Sequence, residues 1–205
     1  MPMCPAKFDL YSIGHSTHSK QRFSALLQRA DINAIADVRS SPFSRHLPHF
    51  TQNELKQWLK QNGVSYVFLG NELGGRPANP ALYRSGVADY EAMAATKSFL
   101  EGLDRLIKGI ESHRIAMMCS EHDPLDCHRF LLVARRLAER GLSVGHLMPH
   151  GEIYSQKQLE ERLMKLEGLG ADDFFKSRER RLADAYRQRN MRFASSGNLL
   201  SASPG

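Results

Sequence analysis

The sequence predicts an α/β protein: a mostly parallel five-stranded sheet with helices on both faces, a Rossmann-like three-layer arrangement, followed by a C-terminal helical, partly disordered tail. Three observations carry this. Short apolar runs of strand length alternate with stretches whose apolar residues recur at helical spacing. The chain between successive strands is long enough for a crossover helix, which favours parallel pairing. Ile32 to Val38 is a mostly apolar run, which suits a strand covered on both faces.

Phe8 to Ile13 reads as the first strand, ended by Gly14-His15-Ser16-Thr17. Phe23, Leu26, Leu27 and Ala30 then repeat at helical spacing, with Ser19 placed to cap the helix they define. Ile32 to Val38 is the second strand, and a polar loop from Arg39 to Pro48 follows it. Thr51 and Glu54 have the spacing of a capping box, opening a helix with Leu55, Trp58 and Leu59 on one face. That helix stops near Asn62-Gly63. Val64 to Leu69 is the third strand, ended by Gly70-Asn71-Glu72-Leu73-Gly74-Gly75. Arg76 to Gly86, rich in Pro, Asn and Gly, reads as a long surface excursion, and a helix is expected from about Val87 to Glu111. Arg114 to Cys119 is the fourth strand, and Asp126 is placed to cap a helix from Cys127 to about Arg140. Gly141 ends that helix, and Ser143 to Met148 is the fifth strand. The single α/β domain is expected over residues 1–165 and the tail over 166–205. A short amphipathic helix from Ser155 to Leu169 spans that boundary. Lys176 to Arg192 holds seven Lys or Arg against two acidic residues, which fits either a solvated helix or a partner contact, and Ala194 to Gly205 has the composition of a disordered end.

Composition narrows the function. No apolar run approaches the roughly 20 residues of a membrane span, and Met1 to Lys7 lacks the apolar centre of a signal peptide. A cytoplasmic protein with no membrane partner is therefore expected. Three cysteines are an odd number, which excludes a complete disulfide framework and leaves thiols, ligands or catalytic groups. The net charge of +6 suits an anionic small molecule or a nucleic acid without identifying either. No Walker-type phosphate loop or dinucleotide fingerprint is present, so no cofactor is named and the oligomeric state stays open.

In open parallel sheets, ligands bind beyond the carboxyl ends of the strands. The residues that follow the strand candidates are His15-Ser16, Asp37 with Arg39, Glu72, Cys119 with Glu121 and His122, and His150. Each strand end thus delivers an ionisable or reactive group to one edge. The densest segment is Cys119-Ser120-Glu121-His122-Asp123-Pro124-Leu125-Asp126-Cys127-His128-Arg129, from a strand end to a helix start. A first helical turn offers unpaired N–H groups and a positive dipole end. Arg129 adds a fixed cation, and a thiol placed there ionises more easily.

Three readings of the two cysteines stay open: Cys119 as a nucleophile with Arg129 as anion clamp, a metal site drawn from Cys119, Cys127, His128 or His122, or two small core residues. In the first reading His15 or His128 is the acid–base group and Asp37 its orienter. Ser16, Arg39, Arg45, Glu72, Glu121, Cys127 and Arg129 are the candidate substrate contacts. Asp37 also suits a structural ion pair with Arg39 or Arg129. The loop holding Phe43, Arg45, His46, His49 and Phe50 combines cations and aromatic rings in the way single-stranded nucleic acid is held.

Ile13-Gly14-His15-Ser16, Asp37-Val38-Arg39 with Pro42, Leu73-Gly74-Gly75, and Cys119 followed by Cys127-His128-Arg129 together resemble the domain-of-unknown-function family 488, over about Leu10 to His150. The resemblance implies a small α/β domain with a site built from those motifs, and brings no assigned reaction. A weaker similarity, through Asp37-Val38-Arg39 and Cys119 at a strand end, is to rhodanese-like domains, although the segment from Cys119 to Arg129 is longer than their active loop. The reading that follows is an enzyme acting on a nucleotide, phosphoester or sulfur carrier through a Cys/His/Arg site. The alternative is a nucleic-acid or nucleotide-binding module without catalysis.

Overall fold

A computed structural model describes residues 8–199, with side chains described as far as Phe193. It opens with β1 (Leu10–Gly14), α1 (Lys20–Arg29) and β2 (Ala34–Asp37). Ser19 caps α1 as its sequence position suggests, accepting a hydrogen bond from Arg22 N. A short 3-10 turn (Pro48–Phe50) precedes α2 (Gln52–Gln61) and β3 (Ser65–Phe68). Thr51 stands at the α2 N-cap but makes no side-chain cap bond, so the expected capping box does not form. After α3 (Gly70–Leu73), the excursion folds into a small hairpin of β4 (Tyr83–Arg84) and β5 (Val87–Ala88).

The helix expected over Val87 to Glu111 is in fact two helices after that hairpin. These are α4 (Tyr90–Ala94) and α5 (Lys97–Ile110). Asp89 and Thr96 each cap one of them, and the second cap restarts a helix inside a stretch of continuous helical periodicity. β6 (Ile115–Cys119) leads to a 3-10 turn (Pro124–Asp126), a π-helical segment (Arg129–Ala134) and α6 (Arg135–Glu139). The chain finishes with β7 (Val144–Leu147), β8 (Ile153–Ser155), α7 (Gln156–Leu166) and α8 (Arg178–Leu199). Of the tail expected to be disordered, residues 200–205 lie outside the described residues, as does Cys4.

The sheet has six strands in the order β3-β2-β6-β1-β7-β8. The pairings of the first five are all parallel, and β8 adds an antiparallel edge strand that the sequence reading did not include. β6 therefore lies between β2 and β1, and its end is flanked by both of theirs. Side chains alternate between two buried clusters. Tyr11, Ile13, Ala116 and Met118 join Phe23, Leu26, Leu55 and Leu59 under α1 and α2. Met117 and Cys119 join Phe99, Leu103, Phe130 and Leu163 on the other face. Ala185 and Tyr186 of α8 enter that second cluster, where the Tyr186 ring stacks on Phe130. Among the described residues no helix is long and apolar enough to cross a membrane.

Candidate functional site

The strand order brings together the ends of β1, β2 and β6. His15 N donates to Cys119 O and Ser16 N to Ser120 O, so the first and sixth strands stay paired to their last residues. Gly14 is required at this seam: a Cβ on it would stand 2.0 Å from Glu121 O. Ser16 turns the chain away with φ of 45°, an uncommon conformation for a residue other than glycine.

One half of the site is a buried ion pair. Asp37 receives Arg39 Nε at 2.9 Å and Nη2 at 2.6 Å, in the bidentate form that fixes both side chains. Tyr66 OH donates to the same carboxylate at 2.7 Å, and Arg39 Nη1 donates to Phe50 O at 2.8 Å. His15 stacks on Phe50 with centroids 4.3 Å apart, and its Nδ1 lies 2.9 Å from Ser16 O. Burial pulls the His15 pKa down to about 4, with the Arg39 charge adding to it and the Ser16 contact opposing it. The ring is therefore neutral near pH 7.

The other half holds the thiols. Cys119 ends β6, and Cys127 immediately precedes the helix that begins at His128. Both are buried, at 3% and 0% exposure. Cys127 is extended, with φ of −140°, and its Sγ accepts the Arg129 N–H at 3.4 Å. Its sulfur thus takes the place of an N-cap acceptor, the role expected of Asp126, which pairs instead with Arg189. His128 Nε2 lies 2.8 Å from Val38 O, an acceptor only, so that nitrogen carries a hydrogen. The other ring nitrogen, Nδ1, then faces Cys119 Sγ at 3.7 Å and Cys127 Sγ at 3.9 Å. Gly75 packs on the back of this ring, and a Cβ there would meet His128 Cγ at 2.7 Å.

The two thiols titrate in opposite directions. Burial pushes Cys119 well up, and the neighbouring Cys127 charge adds to this. For Cys127 burial acts the same way but is outweighed by the hydrogen bond from Cys119 and the charges of Arg129 and His128, which hold it well below an ordinary thiol. His128 is raised in turn: burial opposes its charge, and the Cys127 thiolate more than compensates. Cys127 donates to Glu121 Oε2 at 3.0 Å when protonated. Burial first, then the Cys127 charge, raises the Glu121 carboxyl, which makes it a ready acceptor for the thiol proton. Among the described residues, Cys119, Cys127 and His128 also form a set whose donor atoms lie within 4.8 Å of one another, near enough to hold one soft cation.

Several expected site residues stand differently. Arg129 is buried, and its Nη1 and Nη2 donate to the backbone carbonyls of Glu121 and His122. It fixes the loop and lends charge rather than offering a free fork to an anion. Glu72 turns to Arg105 on α5. Arg45 is exposed and makes no hydrogen bond or ion pair among the described residues, and His150 pairs with Glu152. Ser16 Oγ and His122 Nδ1 meet at the rim, 3.1 Å apart. Tyr66 and Tyr90 escaped the sequence reading. Burial first, then the charges of Cys127, Cys119 and Glu121, raises the Tyr90 phenol, and the charge of exposed Arg76 opposes them, so these groups are electrostatic neighbours. Tyr90 also lines a cavity of about 390 Å³ between the β4–β5 hairpin, the π-helical segment and α8. A tyrosine opening a short helix after a loop carries no sequence signal of this kind.

A comparison with family models matches residues 19–136 to the family described as domain of unknown function DUF488. The chain belongs to this family. The DUF488 match takes in Asp37, Arg39, Gly75, Cys119 and the Cys127-His128-Arg129 triplet, and it stops short of His15 on one side and of α7 and α8 on the other. Neither a search of curated proteins nor a search of solved structures found a match. The family's description assigns no reaction, so the case for function rests on the site of this DUF488 chain itself.

Proposed function

We propose that this DUF488 protein is a thiol-dependent enzyme acting on an anionic substrate, a phosphoester or sulfur carrier, at the carboxyl edge of its sheet. The nucleophile is Cys127, where the sequence alone pointed to Cys119. The observation that carries this reading is the position of the Cys127 sulfur: it caps the first turn of a helix, accepts the Arg129 N–H, and has the His128 ring beside it. Helix N-termini and neighbouring cations are the two ordinary means of stabilising a thiolate. His128 is the acid–base group, Glu121 accepts the proton as the thiolate forms, and the neutral His15 with the Asp37–Arg39 pair walls the site. Support for an anionic substrate comes from the charge of +6 and from Arg76, exposed next to the Gly75 that packs on His128.

The test is covalent trapping: incubation with p-nitrophenyl phosphate or with thiosulfate, a rapid acid quench, and peptide mass spectrometry. A phosphoryl or persulfide group on Cys127, absent from Cys127→Ser, supports the reading. Turnover that survives Cys127→Ser, or a group carried by Cys119 alone, defeats it.

One observation favours the binding alternative. Phe43 is 67% exposed, in the same loop as exposed Arg45 and His46, and exposed rings beside cations suit stacking with single-stranded bases. Binding through such a loop should weaken steeply with salt, and an affinity flat in salt excludes it.

A further inference from the structure

Cys119 has no task in a mechanism that needs one nucleophile. At the end of β6 it belongs to the same buried cluster as Met117 and Phe130. Yet the chain between β6 and the helix folds back so that a second sulfur lies against it. The fold-back is held by partly buried polar contacts: Arg129 donates to the Glu121 carbonyl, and Asp123 accepts from Leu125 N. The Cys119 and Cys127 sulfurs consequently lie within 4.8 Å of one another. A disulfide has its sulfurs about 2 Å apart, so closure needs an approach of at most about 2.8 Å from that limit. One imidazole nitrogen, His128 Nδ1, faces both sulfurs at 3.7 and 3.9 Å and can serve either in turn.

The geometry points to a two-thiol exchange at this site: Cys119 resolves a mixed disulfide formed on Cys127, so that the pair reduces small disulfides and closes as a Cys119–Cys127 disulfide. The inference rests on Cys127 as the nucleophile and narrows the substrate to the sulfur class. The Cys127 thiolate attacks one sulfur of a disulfide R–S–S–R. A Cys127–sulfur bond forms, the substrate sulfur–sulfur bond breaks, and R–S⁻ leaves with the electron pair and takes the proton of the His128 imidazolium. Neutral His128 then accepts the proton of the Cys119 thiol. The Cys119 thiolate attacks Cys127 Sγ, the two protein sulfurs join, and the second R–S⁻ leaves with its electron pair and receives that proton. One disulfide is reduced to two thiols, one protein dithiol is oxidised, and His128 ends neutral. An excess of a small thiol reverses the exchange.

The experiment uses the full-length protein with Cys4→Ser, which leaves only the pair, and bis(2-hydroxyethyl) disulfide as a small neutral probe. Ser120, next to Cys119, is exposed, and Glu121, whose carboxylate accepts from Cys127, is half-buried. After an acid quench, intact mass and peptide mapping should show the protein lighter by two hydrogens, with Cys119 and Cys127 linked. The further substitution Cys119→Ser should instead hold one hydroxyethylthio group on Cys127, and Cys127→Ser should form neither the link nor that adduct. A persistent adduct on Cys127 of the pair-containing protein, with no internal link, overturns the inference while leaving the nucleophile in place. If Cys127 takes up neither the probe nor an alkylating agent in the folded protein, the inference and the proposed function fall together. The protein with both thiols intact gives the decisive result even if a serine variant fails to fold.

Discussion

Acidification from pH 7 to pH 5 should weaken the fold by about 2 kcal/mol through His15 alone. An exposed histidine has a pKa near 6.5, and this one is held at about 4, first by burial and further by the Arg39 charge. The unfolded chain therefore binds more protons than the folded one between these values, so stability rises with pH across that window. The His15 contribution is complete above about pH 6.5 and is lost as the pH falls towards 4. At about 1.4 kcal/mol per decade the full loss is about 3 kcal/mol, of which about 2 has been spent at pH 5. His146 behaves in the same direction: burial lowers it to about 3, between Ser12 Oγ and Gln156 Oε1. The His15 share is isolated by comparing wild type with His15→Asn in urea unfolding at both pH values. The difference in unfolding free energy between pH 7 and pH 5 should be about 2 kcal/mol smaller in the variant. If the two pH dependences coincide, His15 is not held neutral by the fold, and its place in the wall of the site has been misread.

Three substitutions probe the rest of the site. Asp37→Ala leaves the Arg39 charge buried without its partner and should destabilise by about 3–5 kcal/mol in urea unfolding; a loss under 1 kcal/mol would mean that water reaches the guanidinium. Tyr66→Phe removes one hydrogen bond from the Asp37 carboxylate and should cost about 1–2 kcal/mol by the same assay. Gly75→Ala drives a methyl group against the His128 ring. It should shift the pH midpoint of Cys127 alkylation upward, and an unchanged midpoint would show that the ring is not positioned by this contact.

Much of the architecture was legible because its signals are local. Helical spacing in Phe23, Leu26 and Leu27 and the apolar run at Arg114 to Cys119 depend on neighbours in the chain, and both elements stand where their patterns put them. β8 was missed because three residues of an edge strand are too short to show a period. The break before α5 was missed because Thr96 looks like any polar residue of a helix until its side chain is seen capping Phe99 N. The rule that strand ends face one edge located His15, Asp37 and Cys119, but it says nothing of side-chain direction, and Glu72 turns to α5 instead. Nor does a sequence reveal whether an arginine is already engaged. The sequence allowed Asp37 an ion pair with either Arg39 or Arg129; only the fold decides that it is Arg39, and that Arg129 binds backbone carbonyls. The unequal titration of Cys119 and Cys127 has the same origin. Both are buried thiols in one short segment, and what separates them is that Cys119 donates its hydrogen bond to Cys127, which also has the charges of Arg129 and His128 beside it.

The most direct test of the central claim is the rate of iodoacetamide alkylation of Cys127 in the folded protein as a function of pH, read by peptide mass spectrometry with and without a chelator. An unperturbed thiol titrates near pH ~8.5. The account predicts that Cys127 reacts with a midpoint well below that, with or without the chelator, and that Cys119 stays unreactive across the same range. A Cys127 midpoint at or above ~8.5, reaction only after chelation, or reaction only on unfolding would contradict it.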